Sequence, residues 1–507
     1  MNVAEMKTQH TDDDIACRVE YVPTLIIALH PDLERVGETA PLLGMVTDER
    51  DYVSRNRPDF SKNGHAGKPL NDPHLSRSPV IIQKDNDDVY RIRGHSTSTR
   101  VRIEGRAQQS EYLLSQSDIS SGVTITLSNK VVLLLKLLPL QDSRLKKDAL
   151  LKGISPDIHA LTGKLEHIAQ LDIPVIIRGA TGSGKEQAAY KIHRDSSRCD
   201  KPFVVVNLAA IHDVVAEEEL FGVSRSGQTS PGYFSQAEGG TLVLEDLEDA
   251  SEVVISSLFA ALASGSYVAV NGDQQQPVTC RIIATSIYDA CPCSHGSKLW
   301  QLTNLLAAYQ VFLAPLGDRL EDVSILFLHF VKQQWQKIYP GRPFELRIPP
   351  AIIARILSFN WPGNVRQLRN VARQAVIDSR EQESLQLDQQ LLSILKPKPN
   401  LRDVTDTVKH NGNGRKPNTI GREELTEALQ KNRFELQATA RELSISRASV
   451  YQLIQRFDGL RTAQDLAEQE LKSCYEKYRG DTEQMMWELQ VSQVGMRRRL
   501  KAMGYDI

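Results

Sequence analysis

Between residues 179 and 185 the chain reads Gly-Ala-Thr-Gly-Ser-Gly-Lys, a G-x-x-x-x-G-K spacing suited to holding phosphate. Its three glycines let the backbone N–H groups of Gly179, Ala180, Thr181, Gly182, Ser183 and Gly184 turn inward around phosphate oxygens, while Lys185 reaches the β- and γ-phosphates. Such a loop needs an apolar strand before it and a helix after it, whose positive N-terminal end faces the anion. Asp172–Arg178 and the helical stretch opening at Lys185-Glu186 supply both, so ATP is the expected ligand.

A second set of residues suits nucleic acid. Leu436–Leu443 reads as a helix, Ser444-Ile-Ser446 as a turn, and Arg447–Phe457 as a second helix with Val450, Leu453, Ile454 and Phe457 at helical spacing. That is helix-turn-helix patterning. Ser446 suits the N-cap, which leaves Arg447, Ser449, Gln452 and Arg456 for phosphates and base edges. The unit recurs at an offset of 46, pairing Glu424 with Glu470, Lys431 with Lys477, Glu442 with Glu488, Leu443 with Leu489 and Ser446 with Ser492. In the second copy Arg497, Arg498, Arg499 and Lys501 put four cations on a short helix, which suits phosphate contact. Double-stranded DNA is the expected partner.

These residues need elements to hold them. The middle of the chain alternates helices with apolar strands at Pro174–Ile177, Phe203–Val206, Thr241–Leu244 and Arg281–Ala284, the spacing of a parallel sheet with helical crossovers. Upstream, short β-like runs at Thr24–Leu29, Val80–Gln83, Val89–Arg93, Val101–Glu104, Val123–Leu127 and Val131–Leu135 indicate a β-sandwich. Downstream, Lys396-Pro-Lys-Pro-Asn400 and Lys409–Pro417 form a polar Gly/Pro/Asn linker. The expected fold is therefore multidomain: a β-sandwich, an α/β phosphate-loop domain, then an all-α helix-turn-helix region.

With 507 residues the chain exceeds a single core, and 41% hydrophobic with 24% charged residues is ordinary for soluble globular protein. The longest apolar run, Val131–Leu138, is cut by Lys136, so no membrane span is expected. The N-terminus carries Asp12, Asp13 and Asp14 and no apolar secretory core, which points to a cytoplasmic protein. Six scattered cysteines read as free thiols, since Cys291-Pro-Cys293 alone lacks the other ligands of a zinc site. The net charge of −2 does not argue against DNA, because basic patches can be local.

Gly179–Glu186, Glu219-Leu-Phe-Gly222, Gly239-Gly-Thr-Leu242 and Trp361-Pro-Gly-Asn-Val-Arg-Gln-Leu368 together resemble the AAA+ domain of the bacterial sigma-54-dependent activators. The resemblance implies an α/β part at 150–325 and a helical lid at 326–395. It implies that Glu186 replaces the usual Ser/Thr after the lysine, that Arg366 reaches the nucleotide from the lid, and that Asn207 restrains the catalytic carboxylate. It also implies that Glu245 and Asp246 are the catalytic acids, with Glu245 holding Mg²⁺ through the nucleotide.

The departures are informative. The family has Asp then Glu where this chain has Glu245 then Asp246, and misplacing the water-orienting carboxylate by about 1 Å can cost on the order of a hundredfold in rate. No arginine occurs from Ile282 to Asp318, where the family supplies its arginine fingers, and Lys298 is a poor planar substitute. Losing a finger costs roughly 10³–10⁵ in related phosphoryl transfer, so hydrolysis is expected to be weak. Between Gly222 and Gly232 the string GAFTGA is missing, which argues against a grip on sigma-54 or its RNA polymerase.

The first helix-turn-helix resembles the Fis-like unit that closes the same family, at 419–460, with a diverged copy at 461–507 after the linker 396–418. Residues 21–140, behind a tail at 1–20 expected to be disordered, resemble a forkhead-associated (FHA) domain through Arg55, Ser76-Arg77 and the stretch Ser96–Gly105. There Arg55 and Arg77 would pair with a phosphate and Ser76 would donate a hydrogen bond to it. The combined expectation is an ATP- and DNA-binding transcription regulator gated by a phosphothreonine-bearing protein, acting as a homo-oligomer. An active sigma-54-remodelling ATPase and a phosphopeptide scaffold with an inactive nucleotide fold are the alternatives.

Overall fold

The computed structural model describes residues 21–45, 50–62, 66–85, 89–94, 99–140, 150–225, 228–287, 297–380, 382–395, 421–432, 468–478 and 481–491. It also describes positions 434, 439, 442–443, 450, 453–454, 457, 461, 466, 496 and 499–500. The chain divides into two compact units between Lys398 and Pro399.

The first unit opens with nine strands: β1 (Tyr21–Leu29), β2 (Thr39–Pro41), β3 (Arg50–Val53), β4 (Val80–Lys84), β5 (Val89–Arg93), β6 (Val101–Ile103), β7 (Glu111–Ser115), β8 (Val123–Leu127) and β9 (Val131–Pro139). They form two antiparallel sheets, ordered β2-β1-β9-β8-β6 and β3-β4-β5-β7. Leu25, Ile27, Leu133 and Leu135 from the first sheet and Val53, Ile82 and Ile92 from the second share one core. The sequence marked six of these strands; β2, β3 and β7 are short or polar and carry no apolar run.

β1 and β9 are buried on both faces, which explains why they read as continuous apolar runs instead of alternating ones. Successive side chains of a strand point to opposite faces. Leu25, Ile27, Leu133 and Leu135 therefore enter the sandwich core, while Ile26, Ala28, Val132 and Leu134 pack outward with Leu320, Val323, Phe327, Ile353 and Ile356. The change in composition around residue 145 thus marks a connection in the chain but no break in packing.

The middle of this unit adds β10 (Val175–Gly179), β11 (Phe203–Asn207), β12 (Val223–Arg225), β13 (Gln228–Ser230), β14 (Thr241–Glu245), β15 (Ser266–Val268), β16 (Gln275–Pro277), β17 (Arg281–Ser286) and β18 (Tyr309–Leu313). Five of them make a parallel sheet ordered β11-β14-β17-β10-β18. The four strands expected from sequence are all present. β18 is additional and half-exposed, so its Tyr-Gln-Val-Phe-Leu sequence shows no long apolar run. The phosphate-loop strand β10 lies between β17 and β18, which fixes the loop at the carboxyl ends of the strands, the usual ligand crevice of an open α/β sheet. The lid helices Leu320–Ile338, Pro350–Leu357 and Asn364–Asp378 follow.

In the second unit, helices Arg422–Lys431, Glu468–Tyr478 and Thr482–Leu489 gather around one apolar cluster. No helix among the described residues is long and apolar enough to cross a membrane. Cys199, Cys280 and Cys474 are free thiols; the other three cysteines lie outside the described residues.

Candidate nucleotide site

β10 ends at Gly179, and the helix Lys185–Arg194 begins at the far side of the loop, giving the strand–loop–helix arrangement that the spacing requires. Gly182 and Gly184 adopt φ of +74° and +111°, the left-handed region that glycine enters without strain. Gly184 is the N-cap of the helix and offers no side chain, so its orphan N–H groups remain directed at the loop. Lys185 is buried; its Nζ donates to the Gly179 carbonyl at 3.0 Å and lies 3.3 Å from Asp246 Oδ1.

The two acids end β14. Glu245 closes the strand, and Asp246 follows with φ +53°, its N–H donating to Thr285 Oγ1 at 3.0 Å. Burial first, then the Glu186 and Asp246 carboxylates, hold Glu245 above the usual carboxylate range against the pull of Arg366 and Lys185. Those five residues therefore occupy one electrostatic neighbourhood. Asn207 sits beside Glu245 in the β11–β14 register, and its Oδ1 accepts from the Ala209 N–H at 3.0 Å.

The lid closes directly on the loop. The N–H of Arg366 donates to the Gly182 carbonyl at 3.2 Å, and Asn364 Nδ2 donates to the Thr181 carbonyl at 3.0 Å. Asn364 Oδ1 in turn accepts from the Leu316 N–H at 2.8 Å. A Cβ placed on Gly182 would stand 2.6 Å from the Gly363 carbonyl oxygen, so the lid helix touches bare backbone here.

Arg319 is a contributor that the sequence reading missed. Buried at the start of the first lid helix, it donates from Nη2 to the Ser183 carbonyl at 3.2 Å and lies 3.5 Å from Asp322. Asp322 accepts from the Ile154 N–H, the Ser155 N–H and Ser155 Oγ at 2.6, 2.9 and 2.6 Å. Arg319 follows the arginine-free stretch by a single residue, and only the loop it touches reveals its role. Thr285 and Asn364 were missed because a lone polar residue at a strand end or in a lid turn carries no spacing signal.

Among the described residues no group of three or more His, Cys, Asp or Glu side chains is placed to hold a metal ion by itself. The carboxylates Glu186 and Asp246 both act against the charge on Glu245, and a cation beside Glu245 would relieve that repulsion.

The helix Lys298–Leu306 stands where arginine fingers were sought. It presents Leu305 to solvent, and Lys298 is tied to Ser256 Oγ at 2.8 Å. β12 and β13 form a tight antiparallel hairpin in which Val223 pairs with Ser230 and Arg225 with Gln228. Its base is pinched, since a Cβ on Gly232 would come within 2.3 Å of the Gly222 nitrogen. Nine residues separate Gly222 from Gly232, and six of them are taken up by the two paired strands.

On the N-terminal sandwich, three loops converge. The Arg55 N–H donates to the Ser76 carbonyl at 3.0 Å, and the Ser76 N–H donates to Thr99 Oγ1 at 2.9 Å. Arg55 and Ser76 are half-buried and Arg77 is exposed, and Ser76 Oγ accepts from the Ser78 N–H at 3.0 Å. Ser96 lies outside the described residues, whereas Thr99, from the same stretch, is buried beneath the loops.

Ser446, Arg447, Ser449, Gln452, Arg456, Arg497, Arg498 and Lys501 lie outside the described residues, as do the tail 1–20 and the linker 396–418. Arg499 is described, and its Nη1 donates to the Leu466 carbonyl at 2.5 Å, within its own unit.

Comparison with known proteins matches residues 151–294 to the Sigma-54 interaction domain and residues 317–406 to the AAA+ ATPase lid domain. Both matches lie in one central region, less than half of the chain, which is similar to the sigma-54-dependent activator family. Similar proteins include the anaerobic nitric oxide reductase transcription regulator NorR of Citrobacter koseri, 31% identical over 340 residues, covering 62% of this chain and 64% of that one. NorR of Vibrio vulnificus is 29% identical over 322 residues, covering 60% and 62%. The chain thus spans less than two thirds of the length of these relatives. Among solved structures, NtrX from Brucella abortus in complex with ATP is 26% identical with a TM-score of 0.44, covering 62% of this chain and 70% of that one.

Proposed function

We propose that this chain is a bacterial transcription regulator that binds ATP with Mg²⁺ at the phosphate loop and duplex DNA through its C-terminal helix-turn-helix copies. The observation that carries the nucleotide reading is the junction at Gly182, where the phosphate loop and the Asn364–Arg366 end of the lid helix meet by hydrogen bonds. Lys185 would hold the terminal phosphates and Arg366 would reach them from the lid. Glu245 would face Mg²⁺ and Asp246 would orient water, its short side chain and its pairing with Lys185 both opposing efficient turnover. With Leu305 exposed on the Lys298–Leu306 helix and no arginine along it, a neighbouring copy in a homo-oligomer would bring no guanidinium from that helix. Nucleotide would then set assembly and shape more than drive work. The pinched β12–β13 hairpin favours this reading over active remodelling of sigma-54 polymerase.

The sandwich is proposed as an FHA-like reader of phosphothreonine, because Arg55 and Ser76 sit on adjoining loops tied by backbone hydrogen bonds, with Arg77 beside them. Cationic and hydroxyl donors on adjoining loops suit a phosphate.

Titrating the full chain with a fluorescent ATP analogue while measuring phosphate release over a concentration series, with and without DNA, tests the first reading. Tight binding with slow release is expected, and Lys185→Ala should abolish binding. Rapid, concentration-dependent release would restore the remodelling ATPase. Paired phosphorylated and unphosphorylated threonine peptides test the second reading, which is lost if Arg55→Ala leaves the phosphate-dependent difference unchanged.

A further inference from the structure

Between the sandwich and the lid lies a cavity of about 220 Å³ that the nucleotide site does not use. Its floor is the outer face of β8. Val123, Ile125 and Leu127 enter the sandwich core, so Thr126 points to the opposite side, toward the lid. The facing wall is the first turn of the lid helix Pro350–Leu357, which lines the cavity with Pro350, Ala351 and Ala354. The gap follows from side-chain size. Elsewhere on the same helix Ile353 and Ile356 join Val132 and Leu134 of β9 in one apolar cluster, whereas proline and alanine are too short to close the space.

Thr126 is 7% exposed, yet its hydroxyl has no hydrogen-bond partner among the described residues. Buried polar groups normally have one, so an unsatisfied hydroxyl that faces a cavity marks a place for a ligand to bond. Directly across the strand pair stands Arg102, in register with Thr126. Its Nη2 donates to Glu104 Oε2 at 3.2 Å, and both side chains line the cavity. Opposite charges thus stand side by side, Arg102 more than half exposed and Glu104 mostly buried. Asn129 adds an amide from the β8–β9 turn, where it is left-handed at φ +52°. The lid helix contributes its positive end: its N-cap is Pro349, which has no side-chain acceptor for the first N–H groups.

We propose that this cavity binds a small zwitterion, an α-amino acid with a short side chain, which bridges sandwich and lid. Size sets the scale: at ~30 Å³ per water the 220 Å³ cavity holds roughly seven waters, the bulk of an amino acid and well short of a nucleotide. Charge selects the class. An anion alone is opposed by Glu104 and a cation alone by Arg102, whereas a carboxylate and an ammonium on one carbon satisfy both. The carboxylate takes Arg102 and the uncapped helix end, the ammonium donates to Glu104 and to the Thr126 hydroxyl, and the side chain lies against proline and alanine. The reading stands whether or not the phosphate loop and the Arg55–Ser76 loops bind their own ligands.

Thermal melts and isothermal titration of the full chain with glycine, L-alanine, L-serine and L-proline, one at a time, test the site, with acetate and ethylammonium as single-charge controls. At least one of these amino acids should raise the melting temperature saturably, and neither control should do so at about 10 mM, a ceiling that still registers millimolar sites. Ala351→Leu, which fills the cavity from an exposed position, should abolish the rise. Thr126→Val should weaken binding about tenfold, the worth of one hydrogen bond to a charged group, while Thr126→Ser keeps the hydroxyl and should retain binding. Ligand-free melts show whether each variant folds, and Ala351→Leu decides the matter should Thr126→Val not fold. No response to any of the amino acids overturns the proposal. Acetate acting as strongly as they do also overturns it, leaving a simple anion site. A response that survives both Ala351→Leu and Thr126→Val places the binding elsewhere and overturns it as well.

Discussion

Lys136 of β9 and Glu321 of the lid helix Leu320–Ile338 form a buried ion pair, 2.7 Å from Nζ to Oε2, across the junction of sandwich and lid. Lys136 also donates to the Asp318 carbonyl at 2.8 Å. The next residue, Arg319, holds the Ser183 carbonyl of the phosphate loop. A continuous run of polar contacts thus joins the sandwich to the nucleotide loop, through a segment of five residues from Asp318 to Asp322.

Lys136→Met leaves Glu321 buried without its cation, and breaking such a pair typically costs about 3–5 kcal/mol. The denaturation midpoint of the first unit should fall accordingly. Replacing both partners, with Lys136→Met and Glu321→Leu, should recover most of the loss, since an apolar pair of similar volume is often neutral there. A double variant as unstable as the single one would show that the ion pair itself is needed.

How far these relationships can be read in sequence depends on whether they are local. The phosphate loop, its strand and its helix are contiguous, so Gly179–Glu186 disclosed the site unaided. In sequence Lys136 appears only as an interruption of an apolar run, because its partner lies 185 residues away. The same holds for Arg319 and Asn364, whose roles depend on which loop the lid lands on. The double-sided burial of β1 and β9 was present in their unbroken apolar sequences, but the surface covering their outer faces was not. Polar strands such as β3 carry too few apolar residues to announce themselves, and they form because the neighbouring strand offers a register.

Gly182 and Gly163 make opposite predictions for the same change. At Gly182 a Cβ meets the Gly363 carbonyl oxygen at 2.6 Å with φ at +74°, so Gly182→Ala should push the lid off the loop and weaken ATP binding by at least about tenfold. Gly163 lies on the exposed side of the helix Pro156–Ala169 with nothing within 4 Å. Gly163→Ala should leave ATP binding unchanged and stabilise the chain by up to about 1 kcal/mol. Isothermal titration together with thermal melts of both variants separates the two effects.

Arg319→Met should raise the Kd for ATP without abolishing binding, because Arg319 supports the loop through the Ser183 carbonyl while Lys185 and the glycine frame remain. Lys185→Ala, by contrast, removes the phosphate-facing cation. If the two variants lose affinity equally, Arg319 contacts the nucleotide itself and is more than a support for the loop.

Glu245 provides a pH test. Its folded pKa lies above the ordinary carboxyl value of 4.5 because of burial and the neighbouring Glu186 and Asp246 carboxylates. A raised folded pKa means that the folded chain holds this proton more tightly than the unfolded chain does. Its contribution to stability is therefore fully present below 4.5 and is lost as pH rises through the raised value. Above that value the ionised group is repelled by the Glu186 and Asp246 carboxylates, an effect only partly offset by Arg366 and Lys185, and Glu245→Gln should raise the melting temperature there. Binding has the opposite sign, since Mg²⁺ needs the carboxylate. The Mg²⁺-dependent part of ATP affinity should decline as pH falls through the same raised value, while Glu245→Gln should show little Mg²⁺ dependence and a flat profile. Melting curves and ATP titrations between pH 5 and pH 8, each with Mg²⁺ and with chelator, measure both limbs. A wild-type profile as flat as that of the variant would remove Glu245 from the metal site.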